Sequence, residues 1–193
     1  MVILQNLEER AMIRIISGKY RHRQIEQPDT KNTRPTMDRV REAIFSSIRF
    51  EISEKIVLDL FAGSGSIGIE ALSNGAMKAV LVDNDKNAIK TIKQNISSLG
   101  INNAEVFACN SLDFLQKFTG REFDFIFLDP PYAEYDLLNQ CLELIKQNKF
   151  LSKFGQIIIE TDDLDKIIVP SGLVVVKQKQ YGQVYILYIN NII

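Results

Sequence analysis

Apolar residues along this chain come in two recurring forms, short continuous runs and helical stripes. Ile56 to Leu58 reads as a short buried strand, and Lys78–Val82, Ala104–Ala108, Phe123–Leu128 and Gln156–Glu160 read as further strands. Between them lie helical patterns. One opens just after Gly65 and carries Ile67, Ile69, Ala71 and Leu72. Another spans Asp85–Leu99, with Ile89, Ile92, Ile96 and Leu99 inward, Lys86, Lys90 and Lys93 outward, and Gly100 placed to end it. Ser111–Phe118 and Tyr135–Gln147 follow. Leu173–Lys177 and Val184–Ile189, joined around Gly182, predict a closing antiparallel pair. Strands alternating with helices predict a mostly parallel sheet with right-handed crossovers. The expected fold is α/β and Rossmann-like, with seven strands and an antiparallel last strand.

The first fifty residues follow a different pattern. Residues 1–12 read as a leader outside the core, with Glu8, Glu9 and Arg10 breaking its apolar start and Met12 available as an alternative initiation site. Ile13–Gln27 predicts a hairpin turning at Ser17-Gly18. Thr36 is a suitable N-cap for a helix over 37–50, with Val40, Ala43, Ile44, Ser47 and Ile48 inward and Arg39 and Arg41 off the apolar stripe. Residues 13–50 thus form a small hairpin and helix extension, ahead of a main domain over 51–193.

Charge adds one feature. The net charge of the 193 residues is -1, so bulk charge neither announces nor excludes nucleic acid. Locally, Arg14, Lys19, Arg21, His22, Arg23, Lys31, Arg34, Arg39 and Arg41 outnumber Glu26, Asp29 and Asp38. That imbalance reads as a phosphate-contacting surface, or else as a solvated hairpin face. Cys109 and Cys141 lack metal or disulfide spacing, and no metal site is expected. No run has the length of a membrane span and no secretory signal opens the chain, which predicts a cytoplasmic protein.

The candidate chemistry sits where the strands end. Gly63-Ser64-Gly65-Ser66-Ile67-Gly68 fits G-x-G-x-x-G after a strand and before a helix, a nucleotide-shaped crevice or a plain tight turn. Asp83 ends the second strand, where a Rossmann-like site places the acid for ribose hydroxyls. Asp59 precedes the glycines, where a pyrophosphate would meet an unfavourable carboxylate. S-adenosylmethionine carries a sulfonium and an ammonium and no phosphate, so the two acids favour it over NAD. Asp129-Pro130-Pro131-Tyr132 follows the fourth strand. Its prolines stiffen the loop, so the Asp129 carboxylate and the Pro130 carbonyl can both accept from one exocyclic amine. Tyr132 offers a face for a base to stack on. Such an amine is a poor nucleophile, and holding its two hydrogens aims its lone pair at a sulfonium methyl without a dedicated general base.

Five blocks, 14–25 (RIISGKYRHRQI), 33–48 (TRPTMDRVREAIFSSI), 58–76 (LDLFAGSGSIGIEALSNGA), 82–89 (VDNDKNAI) and 125–132 (FIFLDPPY), together resemble the RsmD family. These are bacterial 16S rRNA guanine-N2 methyltransferases with the class I S-adenosylmethionine-dependent fold. The glycine and DPPY motifs are shared widely among methyltransferases, whereas the RPT-x-DRVRE block is narrower. The resemblance implies a cofactor site lined by Asp59, Phe61, Ala62, Gly63, Ser64, Gly65, Asp83, Asn84, Asn110 and Ser111. It implies a target guanine held by Asp129, Pro130, Pro131 and Tyr132. Asn110 departs from the family, which usually has an acid there, though an amide oxygen can still accept. With the basic extension, it implies RNA contacts from Arg14, Lys19, Arg21, Arg23, Arg34 and Arg39. The implied substrate is 16S rRNA, within the small ribosomal subunit or an assembly intermediate, met by a monomer with no membrane partner. Alternative readings are an adenine-N6 nucleic-acid methyltransferase, a Rossmann oxidoreductase, which Asp59 and DPPY disfavour, and a non-catalytic RNA-binding assembly factor.

Overall fold

A computed structural model of the chain describes residues 12–28, 35–131 and 133–192. Residues 1–11 of the leader, Arg34 and Tyr132 lie outside the described residues, while Met12 belongs to the first strand. Strands β1 (Met12–Arg14) and β2 (Gln24–Glu26) pair antiparallel and precede helix α1 (Pro35–Ile48). The main sheet holds β3 (Ile56–Asp59), β4 (Lys78–Asp83), β5 (Ala104–Ala108), β6 (Phe123–Leu128), β7 (Leu151–Thr161), β8 (Leu173–Tyr181) and β9 (Val184–Asn191). The connecting helices are α2 (Ser66–Ser73), α3 (Lys86–Leu99), α4 (Ser111–Lys117) and α5 (Tyr135–Gln147).

The strand order is β5-β4-β3-β6-β7-β9-β8. Strands β3 to β7 pair in parallel, and β9 runs antiparallel to both β7 and β8. Successive strands leave β3 in opposite directions, to β4 on one side and β6 on the other. That reversal opens a crevice at the carboxyl ends of β3, β4 and β6. The α/β sheet expected from the alternating pattern is the one observed, with β7, β8 and β9 longer than their apolar runs because their outer residues face solvent.

Two apolar layers sandwich the sheet. On one face Ile13, Ile25, Val40, Ile44, Ile69 and Ile92 pack together over Val57, Leu81 and Phe127, so the hairpin and α1 share a core with α2 and α3. On the other, Phe114, Leu138, Leu142 and Ile145 from α4 and α5 cover Leu58, Val82 and Ile126. In α1 the buried side chains include Phe45, stacked on Phe127 with ring centroids 5.9 Å apart, while Ala43 is only half-buried. The helix starts at Pro35, a favoured first position, rather than after Thr36.

The hairpin differs from its expected form. Its strands are three residues each, and residues 15–23 between them form a loop closed by Ile15 and His22 backbone bonds rather than a tight turn at Ser17-Gly18. The physical reason is α2. The Ile16 and Ser17 amides donate to the Glu70 carboxylate at 3.0 and 2.8 Å, and the Lys19 amide donates to the Ser73 carbonyl at 2.7 Å. At Gly18, with φ +79°, an added Cβ would stand 1.9 Å from the Ser73 oxygen, so only glycine allows this approach. Arg41, expected off the apolar face, is buried. It donates to the Arg14 carbonyl at 2.8 Å and pairs with Asp38 at 3.1 Å and Glu70 at 3.6 Å.

Candidate active site

The glycine turn forms because β3 must pass into α2 within a few residues. Its path is pinned by the Leu60 amide on the Phe127 carbonyl and the Ala62 amide on the Val82 carbonyl, at 3.2 and 3.0 Å. Gly65 is left-handed at φ +79° and caps α2. Gly63, at φ +55°, has open space where a Cβ would stand, so its backbone faces the crevice unobstructed. Gly68 serves packing instead, since a Cβ there would lie 2.6 Å from Leu81 Cδ2. Gly68 thus has the helix–strand packing role that a G-x-G-x-x-G turn assigns to its last glycine.

Asp83 closes the turn from the neighbouring strand. Its Oδ2 accepts from the Gly63 amide at 2.8 Å and its Oδ1 from the Asp85 amide at 2.9 Å. Asn84 beside it is exposed. Asp59 lies deeper, 3% exposed, and its Oδ2 has no hydrogen-bond partner among the described residues. Burial pushes its pKa up to about 7, against the lowering effect of backbone bonds from Phe61 and Gly68. The charges of Asp129 and Asp83 add to the rise, which places three carboxyl groups within electrostatic reach of one another. A buried carboxylate oxygen without a partner calls for a cationic or hydrogen-bond-donating ligand group. The ammonium of S-adenosylmethionine fits that demand, and a pyrophosphate does not.

The other predicted cofactor positions divide. Phe61 is half-buried against the α4–α5 layer, and Ala62 and Ser64 are buried, with the Ser64 carbonyl held by Asn95 at 2.9 Å. Asn110 follows β5 at the same edge of the sheet, but its Oδ1 caps α4 by accepting from the Asp113 amide at 2.7 Å. Its Nδ2 donates to the Asp113 carboxylate at 2.7 Å. The Ser111 side chain is turned away, buried and accepting from Cys141 Sγ at 3.5 Å, so only its backbone can face the crevice.

Asp129 and Pro130 leave β6 into a cleft also lined by Pro131, Tyr135, Glu160 and Thr161. The cleft's outer wall is fastened by the Tyr135 hydroxyl donating to Asp162. Asp129 has accessible surface at the cleft mouth, yet the surrounding protein mass desolvates its carboxyl and pushes it up to about 6. Glu160, at the end of β7, rises to about 8, first through burial and then through the Asp129 charge. The two titrate as a pair. In the sequence Glu160 is only the last residue of an expected strand, with no motif around it. Its only signal was an acid after an apolar run at the carboxyl edge of the sheet.

The predicted basic residues Arg14, Lys19, Arg21, Arg23 and Arg39 are all exposed. Arg14 and Arg39 line a shared groove that also holds Asp38 and Glu42. Lys19, Arg21 and Arg23 stand on the loop anchored to α2.

The strand order, with the glycine turn, the orphaned Asp59 and the DPP loop all following strands at the carboxyl edge of one parallel sheet, defines a class I S-adenosylmethionine-dependent methyltransferase. More narrowly, the chain belongs to the ribosomal RNA small subunit methyltransferase D family, whose sequence model, described as "Conserved hypothetical protein 95", matches residues 13–190. It is 37% identical over 172 residues to the ribosomal RNA small subunit methyltransferase D of Buchnera aphidicola subsp. Acyrthosiphon pisum, covering 89% of this chain and 90% of that protein. Against the protein of that name from Escherichia coli strain K12, identity is 36% over 178 residues, covering 91% of this chain and 89% of the relative. Among solved structures, the putative methyltransferase yhhF from Escherichia coli superposes with a TM-score of 0.85 at 33% identity, over 94% of this chain and 98% of that one.

Proposed function

We propose that this protein transfers a methyl group from S-adenosylmethionine to the exocyclic N2 amine of a guanine in 16S rRNA, acting as a cytoplasmic monomer on the small subunit or its assembly intermediates. The observation that supports the reading is that buried Asp59 lies within electrostatic reach of both Asp83 and Asp129 beside the glycine turn. The names of the relatives point to the small-subunit RNA.

S-adenosylmethionine supplies an electrophilic sulfonium methyl. Asp59 would hold the ammonium, Asp83 the ribose hydroxyls, and the Gly63–Gly65 backbone the space between. Asp129, raised to about 6, is largely ionised at neutral pH and accepts from the target amine, with the Pro130 carbonyl taking the second hydrogen. The amine nitrogen then presents its lone pair out of the base plane. Proton loss follows methyl transfer, when the nitrogen is acidic, and a carboxylate with a raised pKa is a better acceptor than an ordinary Asp. Tyr132 would stack on the base. The exposed cations of the hairpin loop and Arg39, with Arg34, would meet phosphates.

The test is transfer of tritiated methyl to 30S particles and to naked 16S rRNA, followed by nucleoside analysis. The expected product is N2-methylguanosine, and the Asp129→Ala variant should lose transfer while keeping its cofactor affinity. N6-methyladenosine would establish the adenine reading instead. Absence of any transfer alongside intact RNA binding would leave an assembly factor.

A further inference from the structure

Helix α3 carries charge that its own stability does not explain. Lys86, Lys90 and Lys93 stand at positions that share one helical face, and all three are exposed. None forms an ion pair with a described residue, and the helix contains no Asp or Glu. Like charges three and four residues apart repel. Lys86 and Lys90 also sit in the N-terminal half, where the helix dipole disfavours cations. The Asp85 carboxylate, which could neutralise that end, is engaged as the N-cap on the Ala88 amide at 2.8 Å.

The same face is a shallow, widely solvent-open groove lined by Lys86, Lys90 and Lys93 together with Gln94, Ser97 and Glu26. Gln94 and Ser97 add neutral hydrogen-bond donors, and Glu26 is the acid on its margin. At one end the groove starts from the Asp83–Asp85 turn, beside the glycine loop that Asp83 holds. At its other end α3 is joined to the hairpin. Asn95, buried, holds both the amide and the carbonyl of Glu26 at 2.8 and 2.9 Å, and Arg23 reaches the Ser98 carbonyl at 3.5 Å. A line of cations thus runs from the cofactor edge of the sheet to the basic loop.

We propose that the lysine face of α3 is a docking groove for the phosphate backbone of the RNA substrate, continuous with Arg23 of the hairpin. The proposal deepens the RNA reading above and rests on it. A run of phosphates neutralises the repulsion along the face and releases counterions from the nucleic acid. Contacts of this kind set the register of the strand and carry no base information.

The test is direct binding of 16S rRNA to the full chain, wild type against a Lys86→Gln, Lys90→Gln, Lys93→Gln variant, across a series of salt concentrations. Removing one lysine–phosphate pair lowers the magnitude of the log–log salt slope by about 0.7–0.9, so the triple variant should fall by about two or more. Thermal unfolding should be unchanged or slightly higher than wild type, since the repulsion along the exposed face is relieved, and S-adenosylmethionine affinity should match wild type. A Lys90→Glu single variant, expected to weaken RNA binding further than Lys90→Gln, separates charge from shape. An unchanged slope in the folded triple variant overturns the groove, even where methyl transfer to rRNA by the wild type upholds the activity. A reduced slope upholds the groove even where transfer assays fail. Loss of binding to phosphatidylglycerol vesicles with an intact RNA slope would assign the face to an anionic membrane and overturn the proposal.

Discussion

Cofactor affinity should depend on pH through Asp59. Without a ligand its carboxyl is buried, one oxygen is unpartnered, and its pKa stands at about 7. An ammonium placed against that oxygen favours the ionised form and returns the pKa toward the ordinary range. Binding below pH 7 therefore requires proton release, and each pH unit below 7 weakens S-adenosylmethionine by up to about tenfold, or 1.36 kcal/mol. With a pKa of about 7, titration calorimetry in buffers of different ionisation enthalpy should find about 0.9 proton released per ligand at pH 6 and about 0.5 at pH 7. Above pH 7.5 the α-amino group of the ligand, ordinarily near 7.7–8.0, takes up a proton and opposes the effect, so the release is read from pH 6 to 7, and its loss in Asp59→Asn separates it from Asp129 and Glu160. The ligand-free protein should show the mirror image. A carboxyl whose folded pKa is raised binds more protons folded than unfolded, so stability falls as pH rises from about 4 to 7. The loss has an upper bound of about 4 kcal/mol, and Asp59→Asn should recover part of it at pH 8 while keeping the backbone bonds from Phe61 and Gly68. Equal affinity at pH 6 and 7 with no proton release would refute the assignment of Asp59 to a cationic group.

Two structural predictions follow from the same geometry. Glu70→Ala leaves Arg41 paired with Asp38 and the Arg14 carbonyl but removes the acceptor of the Ile16 and Ser17 amides, which at about 1–3 kcal/mol per unmet donor should cost at least about 2 kcal/mol in urea unfolding; Glu70→Gln should cost less, and a loss below about 1 kcal/mol for Glu70→Ala would show that the hairpin is not anchored there. Gly68→Ala drives a methyl into fully buried Leu81 and should cost about 1–3 kcal/mol, with Leu81→Val in the same chain restoring stability; additive losses would place the strain elsewhere.

Much of this protein was legible along the chain because its signals are local. The glycine turn at 63–65, the left-handed Gly100 that ends α3 and the acid at the end of β4 each depend on neighbours within a few residues, whereas Asp85, expected inside α3, caps it. The strand–helix alternation likewise fixed the parallel sheet, and the sheet placed Asp59, Asp83 and Asp129 at one edge without further information. What the sequence left open concerns partner choice. Glu70 stands mid-helix in an ordinary stripe, and it becomes an anchor only because a segment more than fifty residues earlier folds over α2. Arg41 and Arg39 are two residues apart and equally basic, yet one is buried against Glu70 and the other exposed. Asn110 and Ser111 lie where cofactor contacts were expected, and the packing of α4 on α5 commits the Ser111 hydroxyl to Cys141. Glu160 acquires its raised pKa from burial in a cleft whose opposite wall is β6, about thirty residues earlier in the chain. Periodicity and caps are set by backbone geometry over one or two turns, and so can be read from sequence. Burial and the partners of charged side chains are set by which distant surfaces meet, and only the tertiary structure decides that.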